Sequence, residues 1–130
     1  MTGIDTNVLV RFLTRDDEAQ YLKAVAVFNA GDVLVTKTVW LETEWVLRFA
    51  YAFDARSIVR AFRDVLGLPG VRTDDKGSLL SALSWHEHGL DFADALHLAG
   101  SQDAATFMTF DRDFVSKSSG VGLCRVTEPS

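Results

Sequence analysis

Apolar positions along the chain fall into two alternating patterns. Short apolar runs bounded by turn residues predict strands: TGI near the start, DVLVT at 32–36, VRT at 71–73, ATFMTF at 105–110 and GLCRVT at 122–127. Between them lie segments whose apolar residues recur every three to four positions, the spacing of a helix face. NVLVRFLT (7–14) predicts a short helix. DDEAQYLKAVAVFNAG (16–31) predicts a longer one, with acids in its first turn and Gly31 at its end. TVWLETEWVLRFAYAF (38–53) predicts a long helix, apolar around most of its circumference. In DARSIVRAFRDVLGLPG (54–70), Ile58, Val59, Phe62, Val65 and Leu66 share one face, with arginines opposite. DDKGSLLSALSWHEHG (74–89), DFADALHLAGSQDA (91–104) and DRDFVSKSS (111–119) complete the helices. Strands alternating with helices build βαβ units. The chain is therefore expected to be α/β, with a mainly parallel central sheet covered by helices on both faces.

Length and composition narrow the class. A chain of 130 residues is most simply one domain, 1–130, long enough for a full hydrophobic core. At 48% hydrophobic and 24% charged it has the profile of a soluble globular protein. No apolar run reaches the roughly 20 residues that cross a bilayer, and no signal-peptide pattern opens the chain, so no membrane role is expected. The single cysteine, Cys124, excludes an internal disulfide and fits a reducing cytoplasm. A net charge of −5 argues against broad non-specific binding to nucleic acid but leaves room for a local basic rim.

One residue breaks the pattern. Asp5 sits inside the apolar opening run, where an unpaired carboxylate is costly to bury. In open α/β sheets ligands bind beyond the carboxyl ends of the strands, and Asp5 directly follows the first predicted strand. Asp111 directly follows ATFMTF, Glu42 lies early in the helix after DVLVT, and Asp94 lies early in DFADALHLA. Carboxylates gathered at one edge repel one another unless a cation joins them, and Mg²⁺ or Mn²⁺ accepts such oxygen ligands. Each acid has a plainer role open to it. Asp5 or Asp111 can N-cap the helix that follows, and Asp91 suits the cap of its own helix. Asp113 suits helix stabilisation, and Glu44 is expected to be solvated while Glu42 sits in an apolar setting. Other chemistries lack their motifs: there is no phosphate loop, no GxGxxG and no GxSxG. His86 and His88 do not share a helix face and read as a solvated helix end rather than a zinc site, and His97 as packed or hydrogen-bonded.

The segments IDTNVLVRFL, VWLETEWVLR, DFADALHLA and TFDRDF resemble, in order and spacing, the PIN-domain ribonucleases of the VapC toxin type, over nearly the whole chain. The resemblance implies a three-layer α/β/α sandwich and a Mg²⁺- or Mn²⁺-dependent endoribonuclease. It also implies a homodimer restrained by a small cognate antitoxin. The family's four acids fall on Asp5, Glu42, Asp94 and Asp111, and its neighbouring hydroxyls on Thr6 and Thr109. Asp91 and Asp113 are additional acids whose roles it leaves open.

The chemistry agrees with that assignment. A metal held by Asp5 and Asp94, with Glu42, Asp111 or Asp113 assisting, activates water and neutralises the attacked phosphate. Arg11, Arg15, Lys37 and Arg112 lie near the acids in sequence and are candidates for a basic rim. Trp40, Trp45 and Phe49, with the helix carrying Ile58 and Phe62, suggest an apolar groove for a partner. The rival classes are a non-catalytic cation-binding module and a phosphatase-like metal-dependent hydrolase. The latter usually carries a second aspartate where Asn7 stands.

Overall fold

The structure is a computed structural model that describes residues 1–130. It contains seven helices and five strands, and every strand pair is parallel. The α/β class holds, consistent with a three-layer α/β/α fold. No helix is long and apolar enough to cross a membrane. The chain forms two compact units, Met1–Lys76 and Gly77–Ser130.

In the first unit, strands β1 (Thr2–Gly3), β2 (Val33–Leu34) and β3 (Val71–Arg72) form a sheet in the order β1-β2-β3. Register pairs Thr2 with Val33 and Val33 with Val71. The ladder extends past the strand ends through Ile4 N–H to the Leu34 carbonyl (3.2 Å) and Val35 N–H to the Arg72 carbonyl (2.9 Å). Helices α1 (Thr6–Thr14), α2 (Glu18–Asn29), α3 (Lys37–Ala50) and α4 (Ala55–Leu66) fill the connections. Gly70 shows why this sheet edge needs a glycine. Its φ is +79°, and a Cβ there would lie 2.7 Å from the Asp32 amide nitrogen.

Trp40 fixes the core of this unit. It is fully buried, its ring centroid lies 4.9 Å from that of Phe62, and its indole N–H donates to the Val35 carbonyl at 3.2 Å. Ile58, Val59, Phe62 and Val65 are buried as well, so the apolar face of α4 faces inward as its spacing predicted. Helix α3 ends at Ala50, short of the predicted 53. Ala52 adopts a left-handed conformation (φ 55°), and the Phe53 amide turns back to the Leu47 carbonyl (3.0 Å), which stops the helix.

In the second unit, β4 (Thr106–Met108) pairs in parallel with β5 (Arg125–Thr127). Helices α5 (Lys76–Glu87), α6 (Phe92–Ala99) and α7 (Arg112–Lys117) pack a core that includes Leu79, Leu83, Phe92, Leu98 and Phe114. Helix α6 is shorter than the predicted 91–104 because Gly100 closes it, its amide bonding the Leu96 carbonyl. Gln102 then ties the loop before β5. Its Oε1 accepts from the Leu123 and Cys124 amides, and its Nε2 donates to the Leu98 carbonyl.

Candidate active site

Asp5 is exposed and caps α1, its Oδ1 accepting from the Val8 amide at 3.2 Å, with half-buried Thr6 opening the helix beside it. Capping leaves Oδ2 available, so the cap and a ligand role are compatible. Glu42, on α3, is exposed. The expectation for its neighbour is overturned. Glu44 is only 1% exposed, with its Oε2 2.8 Å from Arg48 Nε and its Oε1 accepting from Nη2 at 3.2 Å. The reason is helical geometry: Trp40, Glu44 and Leu47 lie at i, i+4 and i+7, so Glu44 falls on the buried stripe and Glu42 off it. The apolar setting read for Glu42 belongs to Glu44.

The second unit carries acids at the starts of α6 and α7. Asp91 caps α6 through the Asp94 amide (3.2 Å). Asp111 caps α7, its Oδ1 accepting from the amides of Asp113 (3.0 Å) and Phe114 (3.2 Å). Thr109 Oγ1 accepts from the Asp111 amide at 3.0 Å, which fixes the turn between β4 and α7. Asp113 pairs with Lys117 along the helix (3.0 Å). Asp94 sits half-buried among these groups. Burial first, then the charges of Asp91, Asp111 and Asp113, push its pKa up, while His97 pulls it down. Both cap readings for Asp91 and Asp111 hold, and neither removes the residue's charge from Asp94.

The histidines diverge from expectation. His86 is buried rather than solvated, with Nδ1 2.7 Å from the Leu90 carbonyl and its ring edge-on to Phe92. His97 is exposed rather than packed, and it is the group near Asp94 that sequence reading passed over. Its signal was the i, i+3 spacing from Asp94 on one helix.

The proposed basic rim is already engaged. Arg11 pairs with Asp16 (3.0 Å), Arg15 with Glu18 (3.1 Å), Lys37 with Asp75 (3.3 Å) and Arg112 with Glu128 (3.2 Å). These are largely exposed pairs, the kind that contributes little and yields to a competing phosphate. At the Arg11 pair, the Tyr51 hydroxyl, followed by Thr14 and Arg11, holds the Asp16 carboxyl below the usual range against some desolvation. Of the three aromatics in α3, Trp40 is core, whereas Trp45 and Phe49 are 59% and 62% exposed. Those two pack against each other, ring centroids 5.1 Å apart and planes tilted by 54°, with Arg48 over the Phe49 ring. Ile58 and Phe62 are internal, so no groove includes them.

Residues 4–118 match the PIN domain family. The chain belongs to the PIN domain family. No curated protein and no solved structure gave a significant match. PIN domains are generally metal-dependent nucleases, so membership implies a metal-dependent nuclease acting on RNA. No three histidine, cysteine or acidic side chains stand close enough to form a ready-made metal cage. The donor chemistry nonetheless fits a hard divalent cation. The carboxylates whose charges act on Asp94 in this PIN domain are all oxygen donors, and they add to the burial that raises its pKa.

Proposed function

We propose that this PIN domain is a Mg²⁺- or Mn²⁺-dependent endoribonuclease and the toxin of a toxin–antitoxin pair. Its catalytic acids are Asp5, Glu42, Asp94 and Asp111. Asp5 and Asp94 are the main metal ligands, with Glu42, Asp111 and Asp113 assisting and Thr6, Asp91 and Thr109 supporting. The reading takes residues 1–130 as one domain, which the family match across both units supports. The observation that carries it is Asp94: a half-buried carboxylate whose pKa is raised by burial first and then by the charges of Asp91, Asp111 and Asp113, inside a PIN domain.

A divalent ion held by Asp5 and Asp94 would supply Lewis-acid activation of water and neutralise charge on the scissile phosphate. The chain's own part is to hold the acids in position. Thr109 and the α7 amides fix Asp111, and the Asp91 cap sets the first turn that carries Asp94. Exposed Trp45 and Phe49 support a partner surface on α3, suited to a cognate antitoxin or a second copy. A cytoplasmic setting agrees with the single buried thiol, Cys124.

Purified protein should cleave single-stranded RNA with Mg²⁺ or Mn²⁺, stop on chelation, and lose cleavage in Asp94→Asn. Activity that persists in both tests, with contaminating nuclease excluded, would overturn the reading and favour the non-catalytic module.

A further inference from the structure

An open cleft of about 310 Å³ lies between α1 and α2, with Asp5 on its wall. That volume is at the lower end for small-molecule sites, so it suits one ligand group rather than a folded segment. Val8, Ala24 and Val27 make part of the lining apolar, while Asn7, Gln20 and Lys23 add polar ends. The orientation of Gln20 follows from its partner. Arg11 Nε approaches Gln20 Oε1 at 2.6 Å, and a guanidinium only donates. The amide oxygen is therefore committed to Arg11, which leaves the NH₂ as the end that can meet a ligand. Arg11 is itself held by Asp16 and by the Tyr51 hydroxyl (3.1 Å), and Tyr51 also bonds Asp16, so the amide is fixed by a network. Exposed Lys23 differs from Arg11, Arg15, Lys37 and Arg112 in making no ion pair.

We propose that this cleft is a nucleotide subsite for single-stranded RNA and a determinant of which bases flank the cut. The inference rests on the nuclease reading above and deepens it. An unstacked base lies against the apolar wall, Gln20 donates to an acceptor on the base edge, and Lys23 meets a neighbouring phosphate. Asp5, one of the acids assigned to cleavage, stands on the wall of this subsite. The fixed donor end of Gln20 predicts preference for a base that presents an acceptor there.

The test uses the full chain and labelled RNA octamers that differ in one base, titrated by fluorescence anisotropy in EDTA and then assayed for cleavage with Mg²⁺. The informative variant is Gln20→Glu, which keeps a partner for Arg11 but replaces the donor with an acceptor. The parent should rank the four strands unequally. Gln20→Glu should keep the parent's melting temperature and change that ranking by about tenfold. Lys23→Gln should weaken all four strands alike and reduce the salt slope of binding by about 0.7. Equal binding of the four strands by the parent, or an unchanged ranking in Gln20→Glu, overturns the subsite. So does loss of a bound protein partner in Gln20→Glu with RNA ranking intact, since that outcome assigns the cleft to protein. Base-selective binding without cleavage leaves the subsite standing and removes the nuclease reading. Cleavage with no effect of Gln20→Glu does the reverse.

Discussion

Two carboxylates removed from full solvent, Glu44 and Asp94, have opposite surroundings. Glu44 is almost fully buried on α3 and meets a cation, Arg48, at 2.8 Å. Asp94 is half-buried on α6, and its pKa is raised by that burial and by the charges of three further carboxylates, with His97 opposing them. A buried acid with a cation partner is compensated within the protein, and removing it harms folding. An acid raised in pKa by burial and by like charges lacks such a partner, and under the proposed function an external cation would supply it. Burial alone would have selected Glu44. The sign of the neighbouring charge selects Asp94.

The largest expected effect breaks the pair apart by activity. Asp94→Asn removes one charge at nearly constant shape and should lower metal-dependent RNA cleavage by at least about 10²–10³-fold, the scale of losing one electrostatic stabiliser. Glu44→Ala should leave cleavage per folded molecule unchanged, measured as initial rate at equal folded concentration. Equal losses in both variants would abolish the distinction.

Stability should divide them the other way. Glu44→Ala is expected to destabilise by about 3 kcal/mol, because it empties a buried position and removes the partner of Arg48. Urea titration measures it. Metal-free Asp94→Asn should be as stable as the parent at neutral pH, or more so. Excess Mg²⁺ should stabilise the parent by about 2.7 kcal/mol at a hundredfold excess over Kd, read as a higher melting temperature, and stabilise Asp94→Asn much less.

The pH dependence sharpens the same contrast. Because the folded pKa of Asp94 lies above its unfolded value, the folded metal-free protein binds more protons than the unfolded chain. The Asp94 contribution to stability therefore falls as pH rises from the ordinary carboxylate range through the raised value. Asp16 has the opposite sign: its lowered pKa contributes stability above the unfolded value that is lost as the solution is acidified. Melting curves with chelator should show Asp94→Asn flattening the decline on the alkaline side, and Asp16→Asn flattening the loss on the acid side. A parent and Asp94→Asn that track each other across that range would show Asp94 to be uncrowded.

The smallest effect on folding is expected where α3 turns outward. Trp45→Ala should cost about 0.5–1 kcal/mol, chiefly the contact with Phe49. If that surface holds a second copy or an antitoxin, the same change should shift sedimentation toward monomer or weaken partner retention. A parent that is strictly monomeric at micromolar concentration removes the homodimer.

Local spacing was legible where one element decides its own outcome. The α/β alternation, the apolar face of α4 and the caps at Asp91 and Asp111 all follow from residues within one turn or one strand of each other. The place of Glu44 was equally legible in the i, i+4, i+7 stripe from Trp40, and the apolar residues flanking Glu42 in sequence hid it. The end of α3 was not legible, because Ala52 in a left-handed conformation carries no glycine to announce it. The sequence suggested that Asp94 and Asp111 share an edge, but not how strongly each acid would be buried or charged by the others. Asp94 and Asp111 stand on different elements, and Coulomb interactions depend on distance through space. Tertiary structure therefore set the burial that raises the pKa of Asp94 most, and added the charges of Asp111 and Asp113 to that of Asp91 on its own helix. The sequence by itself determined which residues could bear charge and where each helix would start. Tertiary structure decided which of those charges would face a partner and which would face their own kind.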